Sequence, residues 1–347
     1  MASKVRFALV GAGAIAPSYV QAFENSDHAE LIGVADIRPE IAQALARKVG
    51  CASYDSIETL AKEGRFEAVI ICTPPSTHAE ISQYFLERKK HVLCEKPLCT
   101  NSSDAWAMFE TAKKAGVKLT MGSKFRYVDD VIRARSIVAS GILGEIILFE
   151  NAFTSQVDMS NRWNANAAIS GGGVLIDNGS HSIDLMRYFM GPIADVHVVE
   201  GKRVQGLPVE DTVRIFVRSV SGIVGNIDLS WRINKELDSY INIYGSNGNI
   251  SIGWKESKYR QSSSKEWVVF GKGYNKVQAF RSQIENLSKA IRGQDMLLIT
   301  AKDAIASVEV IEAAYQSMRQ SSWVLVSNGW DLRVGAGEEL AAAGKGS

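Results

Sequence analysis

Gly11-Ala12-Gly13-Ala14-Ile15-Ala16 stands directly behind the apolar stretch Arg6-Phe7-Ala8-Leu9-Val10 and opens a segment with helical spacing. A strand that turns this sharply into a helix needs a first glycine for the tight turn, a second where bare backbone meets a pyrophosphate, and a small third residue where helix and strand touch. Gly11, Gly13 and Ala16 fill those places. The N–H groups of the new helix's start, at Ala14 and Ile15, then face the phosphates of a dinucleotide. Asp36 follows Ala16 by 20 residues, at the end of the next apolar run, where a carboxylate accepts hydrogen bonds from ribose hydroxyls. A carboxylate there repels the 2′-phosphate of NADP, so NAD is the expected cofactor. Arg38 is the counterweight, since its guanidinium could hold that phosphate instead. The other reading of Asp36 is a helix cap ahead of Pro39.

The rest of the first third keeps the same rhythm. Arg6–Val10, Ala29–Ala35, Ala68–Cys72, His91–Cys94 and Lys118–Met121 read as strands, with helices over Pro17–Asn25, Pro39–Val49, Thr77–Arg88 and Ser102–Ala115. Val69-Ile70-Ile71-Cys72 is apolar on both faces, as a strand between two helical layers must be. Beyond residue 145 the strands Ile146–Phe153, Val196–Gly201, Asp211–Val220, Ile223–Trp231, Tyr240–Tyr244 and Asn249–Gly253 come in quick succession. Several alternate apolar with polar, which points to a largely antiparallel sheet with one covered face. Ser246-Asn247-Gly248-Asn249 joins two of them, with Asn-Gly expected to supply positive φ angles. Helices over Val277–Arg292 and Thr300–Gln320 close the pattern, and the later helix is expected to pack back on the first half. The chain is thus an α/β protein of two parts, a dinucleotide domain over 1–122 and an α/β domain over 123–330, with 331–347 as a tail. A length of 347 residues agrees with two domains.

Composition narrows the partners. With 39 Lys and Arg against 38 Asp and Glu, the net charge is +1 and no basic patch suits nucleic acid. No apolar run approaches the ~18 residues of a membrane span. Lys4 and Arg6 before an apolar stretch mimic a secretion signal, but the glycines have the better explanation. Cys51, Cys72, Cys94 and Cys99 have neither CxxC spacing nor nearby histidines; they are expected to be buried reduced thiols of a cytoplasmic protein, with no metal.

Two further motifs carry reactive groups. Cys94-Glu95-Lys96-Pro97 ends a buried strand at the edge where open α/β sheets bind ligands. Proline after Lys96 restricts the backbone and could be cis; a solvated Glu-Lys surface pair is the plain alternative. Gly171-Gly172-Gly173 leads into Val174-Leu175-Ile176-Asp177-Asn178-Gly179-Ser180-His181-Ser182-Ile183-Asp184, where Asp177 and His181 are helical neighbours and Asp184 lies a turn further. A carboxylate beside an imidazole suits general-base chemistry. A helix-capping network and a divalent metal site are the alternatives.

Together these residues resemble the glucose-fructose oxidoreductase, inositol dehydrogenase and rhizopine-catabolism family. The resemblance rests on Gly11 to Ala16, Asp36, Thr73-Pro74-Pro75-Ser76-Thr77-His78, Glu95-Lys96-Pro97 and Gly171 to Asp184, which follow the family's order along the chain. It implies a Rossmann domain followed by an α/β domain with a largely antiparallel open sheet, through which homodimers or homotetramers form. It also implies NAD-dependent hydride transfer at a secondary alcohol of a sugar, cyclitol or nucleotide sugar. Lys96, Asp177 and His181 become the catalytic group, with Asp177 orienting His181 or Lys96. Thr73, Pro74, His78 and Glu95 are expected to line the dinucleotide. Lys124, Arg126, Arg162 and Trp163 are expected near the substrate, with surface or core packing as the alternative. Two other readings stay open: glycoside cleavage with transient oxidation by retained NAD, and a non-catalytic dinucleotide sensor.

Overall fold

Six parallel strands build the first sheet of the computed structural model, which describes residues 3–327. In chain order the elements are β1 (Val5–Val10), α1 (Ala16–Phe23), β2 (Ala29–Ala35), α2 (Pro39–Val49), β3 (Ala52–Tyr54), α3 (Ile57–Glu63), β4 (Ala68–Ile71), α4 (His78–Glu87), β5 (His91–Glu95), α5 (Ser102–Ala115) and β6 (Leu119–Gly122). The sheet order is β3-β2-β1-β4-β5-β6, the doubly wound order that opens a crevice where β1 and β4 part. Its inner strands are largely buried on both faces, β4 completely so, while the edge strand β3 is mostly exposed. That is why Ala68 to Ile71 shows no polar alternation.

A helix that the sequence pattern did not reveal, α6 (Asp129–Ala139), leads to the second sheet. There follow β7 (Ile146–Thr154), the short α7 (Ala167–Ser170), the long α8 (Val174–Met190), then β8 (Ile193–Glu200), β9 (Thr212–Ser219), β10 (Val224–Ser230), β11 (Ser239–Gly245), β12 (Gly248–Gly253), β13 (Ser257–Gln261) and β14 (Val268–Gly271). The order is β14-β13-β12-β11-β7-β10-β9-β8-β15, where β15 is Val324–Leu325. Every pairing is antiparallel except β7 with β10. Alternation along β9 puts Val213, Ile215 and Val217 into the core beneath α8 and leaves Arg214 and Arg218 outward. The turn between β11 and β12 corrects the expectation for Asn-Gly: Ser246 and Asn247 form it, and neither Asn247 nor Gly248 takes a positive φ. Gly248 is needed for space, since a Cβ there would lie 2.4 Å from the Arg260 carbonyl oxygen on β13.

The last helices, α9 (Lys276–Ile291) and α10 (Ala301–Gln320), join the two halves. Phe280, Ile284 and Leu287 of α9 share a core with Phe7, Leu9 and Tyr19. Ala304 and Val308 of α10 enter the core on the other face of the first sheet, while Val310 and Ala314 enter the core of the second. Of the four thiols, Cys94 and Cys99 are buried, but Cys51 and Cys72 are only half-buried, because each lies just outside a strand. The expected tail, 331–347, lies outside the described residues.

Candidate active site

The cleft lies at the carboxyl edge of the first sheet, roofed by the start of α8. Gly11 follows β1 with φ +93°, and a Cβ on it would stand 2.8 Å from the Cys72 carbonyl group at the end of β4. Gly13 has nothing within 4 Å of the place its Cβ would take. The loop is therefore tight at its first glycine and open at its second, as a pyrophosphate requires. Asp36, buried after β2, ties this loop to α2: Oδ2 accepts the Ala12 N–H at 2.8 Å and Oδ1 the Arg38 N–H at 2.9 Å. Burial alone would raise its pKa, but these N–H groups and the Arg38 guanidinium, 3.2 Å from Oδ1, hold it below the usual carboxylate value. Asp36 is not the cap of α2, whose N-cap residue is Arg38.

On the second wall, Glu95 ends β5 and the Lys96–Pro97 peptide is cis. The Lys96 ammonium donates to the Asp177 carboxylate at 2.5 Å and to the Asp177 carbonyl at 2.9 Å. Asp177 thus grips Lys96 with two oxygens from the first turn of α8. His181 lies one turn on, buried, with Nδ1 3.4 Å from the Ser123 hydroxyl and its ring edge-on to Phe125. Burial first, then the charges of Lys124 and Lys96, keep its pKa well below the ordinary histidine value. A neutral imidazole can take a proton at physiological pH. Between the two possible partners of Asp177, the geometry selects Lys96.

Lys124 follows β6 and lines the same cleft. Burial lowers its pKa to about 8, with Glu95 opposing and Lys96 adding to the shift. Glu95 moves the other way, raised by burial against hydrogen bonds from Tyr19 at 2.7 Å and the Lys96 N–H at 3.1 Å. Arg162 and Trp163 sit on an exposed turn at the mouth, with Thr73 and Ile15 across from them. The cavity encloses about 530 Å³. Its walls also include Phe125, Phe153, Asn178 and Trp254, which no sequence signal singled out. Phe153 of β7 and Trp254, just past the end of β12, are remote in sequence, and only the folded sheet brings them to the cleft.

Two expected positions are corrected. Arg126 does not face the cleft: it is 2% exposed and its guanidinium grips Asp184 at 2.5 and 3.1 Å, with the Leu298 carbonyl at 3.3 Å. A buried charge requires a paired partner, and Asp184 is that partner. His78 is buried behind the loops, its ring nitrogens 2.8 Å from the carbonyls of Pro97 and Thr73. It braces the cleft wall from outside. Pro75, next to Pro74, lines the cleft. Among the described residues no cluster of His, Cys, Asp and Glu could hold a metal ion.

Comparison with known proteins adds the following. Residues 5–123 match the family model described as the oxidoreductase family with an NAD-binding Rossmann fold, and residues 131–251 match the GFO/IDH/MocA C-terminal domain. Inositol 2-dehydrogenase of Rhizobium meliloti (strain 1021) is 26% identical over 345 residues, covering 93% of this chain and 99% of that one. D-glucoside 3-dehydrogenase of Escherichia coli (strain K12) is 33% identical over 193 residues, 54% of this chain and 55% of its own. A levoglucosan dehydrogenase solved with NADH and levoglucosan superposes with a TM-score of 0.87 at 22% identity, over 94% of this chain and all of that one (100%).

Proposed function

Because the chain belongs to this oxidoreductase family with an NAD-binding Rossmann fold, we propose that it oxidises a secondary alcohol of a sugar, cyclitol or nucleotide sugar, or runs the reverse reduction, with Lys96, Asp177 and His181 as its catalytic group. One observation carries the reading. The ammonium of Lys96, fixed by Asp177, and the neutral ring of His181 share one cleft beside the glycine loop. Similarity to an inositol dehydrogenase and to a levoglucosan dehydrogenase supports the substrate class.

The open face of Gly13 and the tight Gly11 fit a dinucleotide, which Ala14, Ile15, Asp36, Thr73 and Glu95 would help to hold. The pairing of Arg38 with Asp36 favours NAD over NADP, since the guanidinium is engaged. When bound, NAD supplies the two-electron acceptor. Lys96 donates a hydrogen bond to the substrate hydroxyl oxygen and stabilises the charge that develops there. His181 removes the hydroxyl proton at Nε2, Nδ1 being turned to Ser123. Asp177 keeps the Lys96 ammonium aimed into the cleft. Lys124, Arg162 and Trp163, which line the cleft, contact the substrate. The same reading takes 1–122 as the dinucleotide domain and 123–330 as the substrate domain, supported by the two separate sheets. Association into dimers or tetramers through the outer face of the second sheet belongs to it as well.

A panel of free sugars, inositols and nucleotide sugars, followed by NADH absorbance, tests the activity. Lys96→Ala and His181→Ala should each lose about 10²- to 10⁴-fold in turnover while still binding NAD. Near-normal rates in either variant overturn the assignment. Sugar release with retained NAD and no NADH would move the reading to glycoside cleavage, and NAD binding without turnover on any compound would make the protein a sensor.

A further inference from the structure

Two of the three glycines before α8, Gly172 and Gly173, answer a steric demand from outside the cleft. A Cβ on Gly172 would lie 1.8 Å from the Tyr315 hydroxyl, and one on Gly173 would lie 2.1 Å from the Glu210 carbonyl oxygen. What fills that space is a cap supplied by another part of the chain. The Glu210 carboxylate, on the connection into β9, accepts the Gly173 N–H at 2.9 Å and the Leu175 N–H at 3.1 Å, and its carbonyl accepts the Val174 N–H at 2.9 Å. Tyr315 of α10 completes the set by donating its hydroxyl to the same carboxylate oxygen at 2.8 Å. Helix α8 has no capping side chain of its own, because its N-cap residue is Gly173. One buried residue therefore satisfies three successive N–H groups that a helix start leaves open. A carboxylate there also complements the positive end of the helix.

The consequence reaches the active site within one turn. Asp177 donates its own N–H to the Gly173 carbonyl at 3.1 Å, so the residue that grips Lys96 hangs directly from the residue that Glu210 holds. We propose that Glu210, braced by Tyr315, is a positioning residue that fixes where α8 begins and thereby sets the Asp177 grip on Lys96. The proposal rests on the catalytic reading of Lys96 and Asp177. Glycine at 172 and 173 is then a condition for that cap, and the pair serves catalysis by steric admission, without touching substrate.

The test combines kinetics on the best substrate of the sugar panel with hydrogen exchange at Gly173, Val174 and Leu175 and with titration of NAD. Glu210→Ala should lower kcat about 10- to 100-fold, the loss expected for misplacement on the order of 1 Å, with KM and NAD affinity little changed. Exchange at the three amides should accelerate. Glu210→Gln should recover most of the rate, because its amide oxygen still accepts the same N–H groups. In an Asp177→Asn background Glu210→Ala should cost nothing further, since the two changes remove one function. Should Glu210→Ala fail to fold, Tyr315→Phe carries the same test through a smaller loss with the same lack of additivity. Losses that multiply, or exchange that does not change, overturn the positioning role alone. Near-normal turnover of Asp177→Asn by itself overturns the catalytic reading on which it rests, a distinct result.

Discussion

His91 accepts the Lys118 N–H on Nδ1 at 2.9 Å, so that nitrogen must stay bare for the fold to keep the bond. Burial first, and the nearby charge of Lys118 second, lower its pKa from 6.5 to about 4. The sign follows from proton counting. Between 6.5 and about 4 the unfolded chain binds the proton and the folded chain does not, so stability is whole above 6.5 and declines as pH falls toward 4. His78 and His181, lowered by burial as well, act in the same direction. His91→Asn keeps an acceptor near the place of Nδ1 and removes the titration. Its denaturation midpoint should therefore fall less than that of the native protein between pH 7 and pH 4.5. The difference is a fraction of the roughly 1.4 kcal/mol that each pKa unit represents, because the ring is partly exposed. Equal midpoint losses in the two proteins would exclude His91 as a contributor.

Helix α1 and the loop that starts it separate two roles of glycine. Gly11→Ala puts a side chain at φ +93° and 2.8 Å from the Cys72 backbone, so it should destabilise the protein by about 1–3 kcal/mol whether or not NAD is present. Gly13→Ala meets no protein atom within 4 Å and should leave thermal stability unchanged while sharply weakening NAD binding, since the added methyl stands where the pyrophosphate approaches. Thermal unfolding with and without NAD checks both, and normal NAD affinity in Gly13→Ala would remove the loop from the cofactor site. These residues were legible because loop, strand and helix are contiguous in sequence. The bounds of β2, α2 and α5 follow directly from periodicity and caps for the same reason. What escaped was of two kinds. Elements such as β3 and β13 are short and mostly polar, β14 is a four-residue apolar run too short to show a period, and α6 hides its few core positions among Asp and Arg. Arg126 was misplaced because a buried ion pair and a ligand-facing cation look alike in sequence; only the Asp184 contact, 58 residues away, tells them apart. Glu210 and Trp254 carried no local signal at all, because their neighbours are distant in sequence, helix residues for Glu210 and aromatic rings such as Phe153 and Tyr240 for Trp254.

Across the whole molecule, α9 and α10 make the two sheets interdependent, and the remaining asymmetry lies on the second sheet. One of its faces is core, lined by Ile215, Ile227, Ile243 and Ile250 beneath the helices. On the other face Phe216 stands half-buried on β9, in register with His197 of β8 and Asn226 of β10. The Arg214–Asp228 and Arg218–Asp195 pairs flank it and satisfy charge without a helix above them. A nine-stranded sheet face that carries an aromatic side chain between paired charges suits a second copy of itself, for a twofold axis sets like patches against one another. Sedimentation of the purified protein should accordingly report a dimer or tetramer. Phe216→Arg, which puts an unpaired cation on that face in each copy, should shift the species to monomer without altering the buried core, because the side chain points away from α8. A wild-type monomer at micromolar concentration, or an unchanged assembly in Phe216→Arg, would place the contact elsewhere and leave this face to solvent.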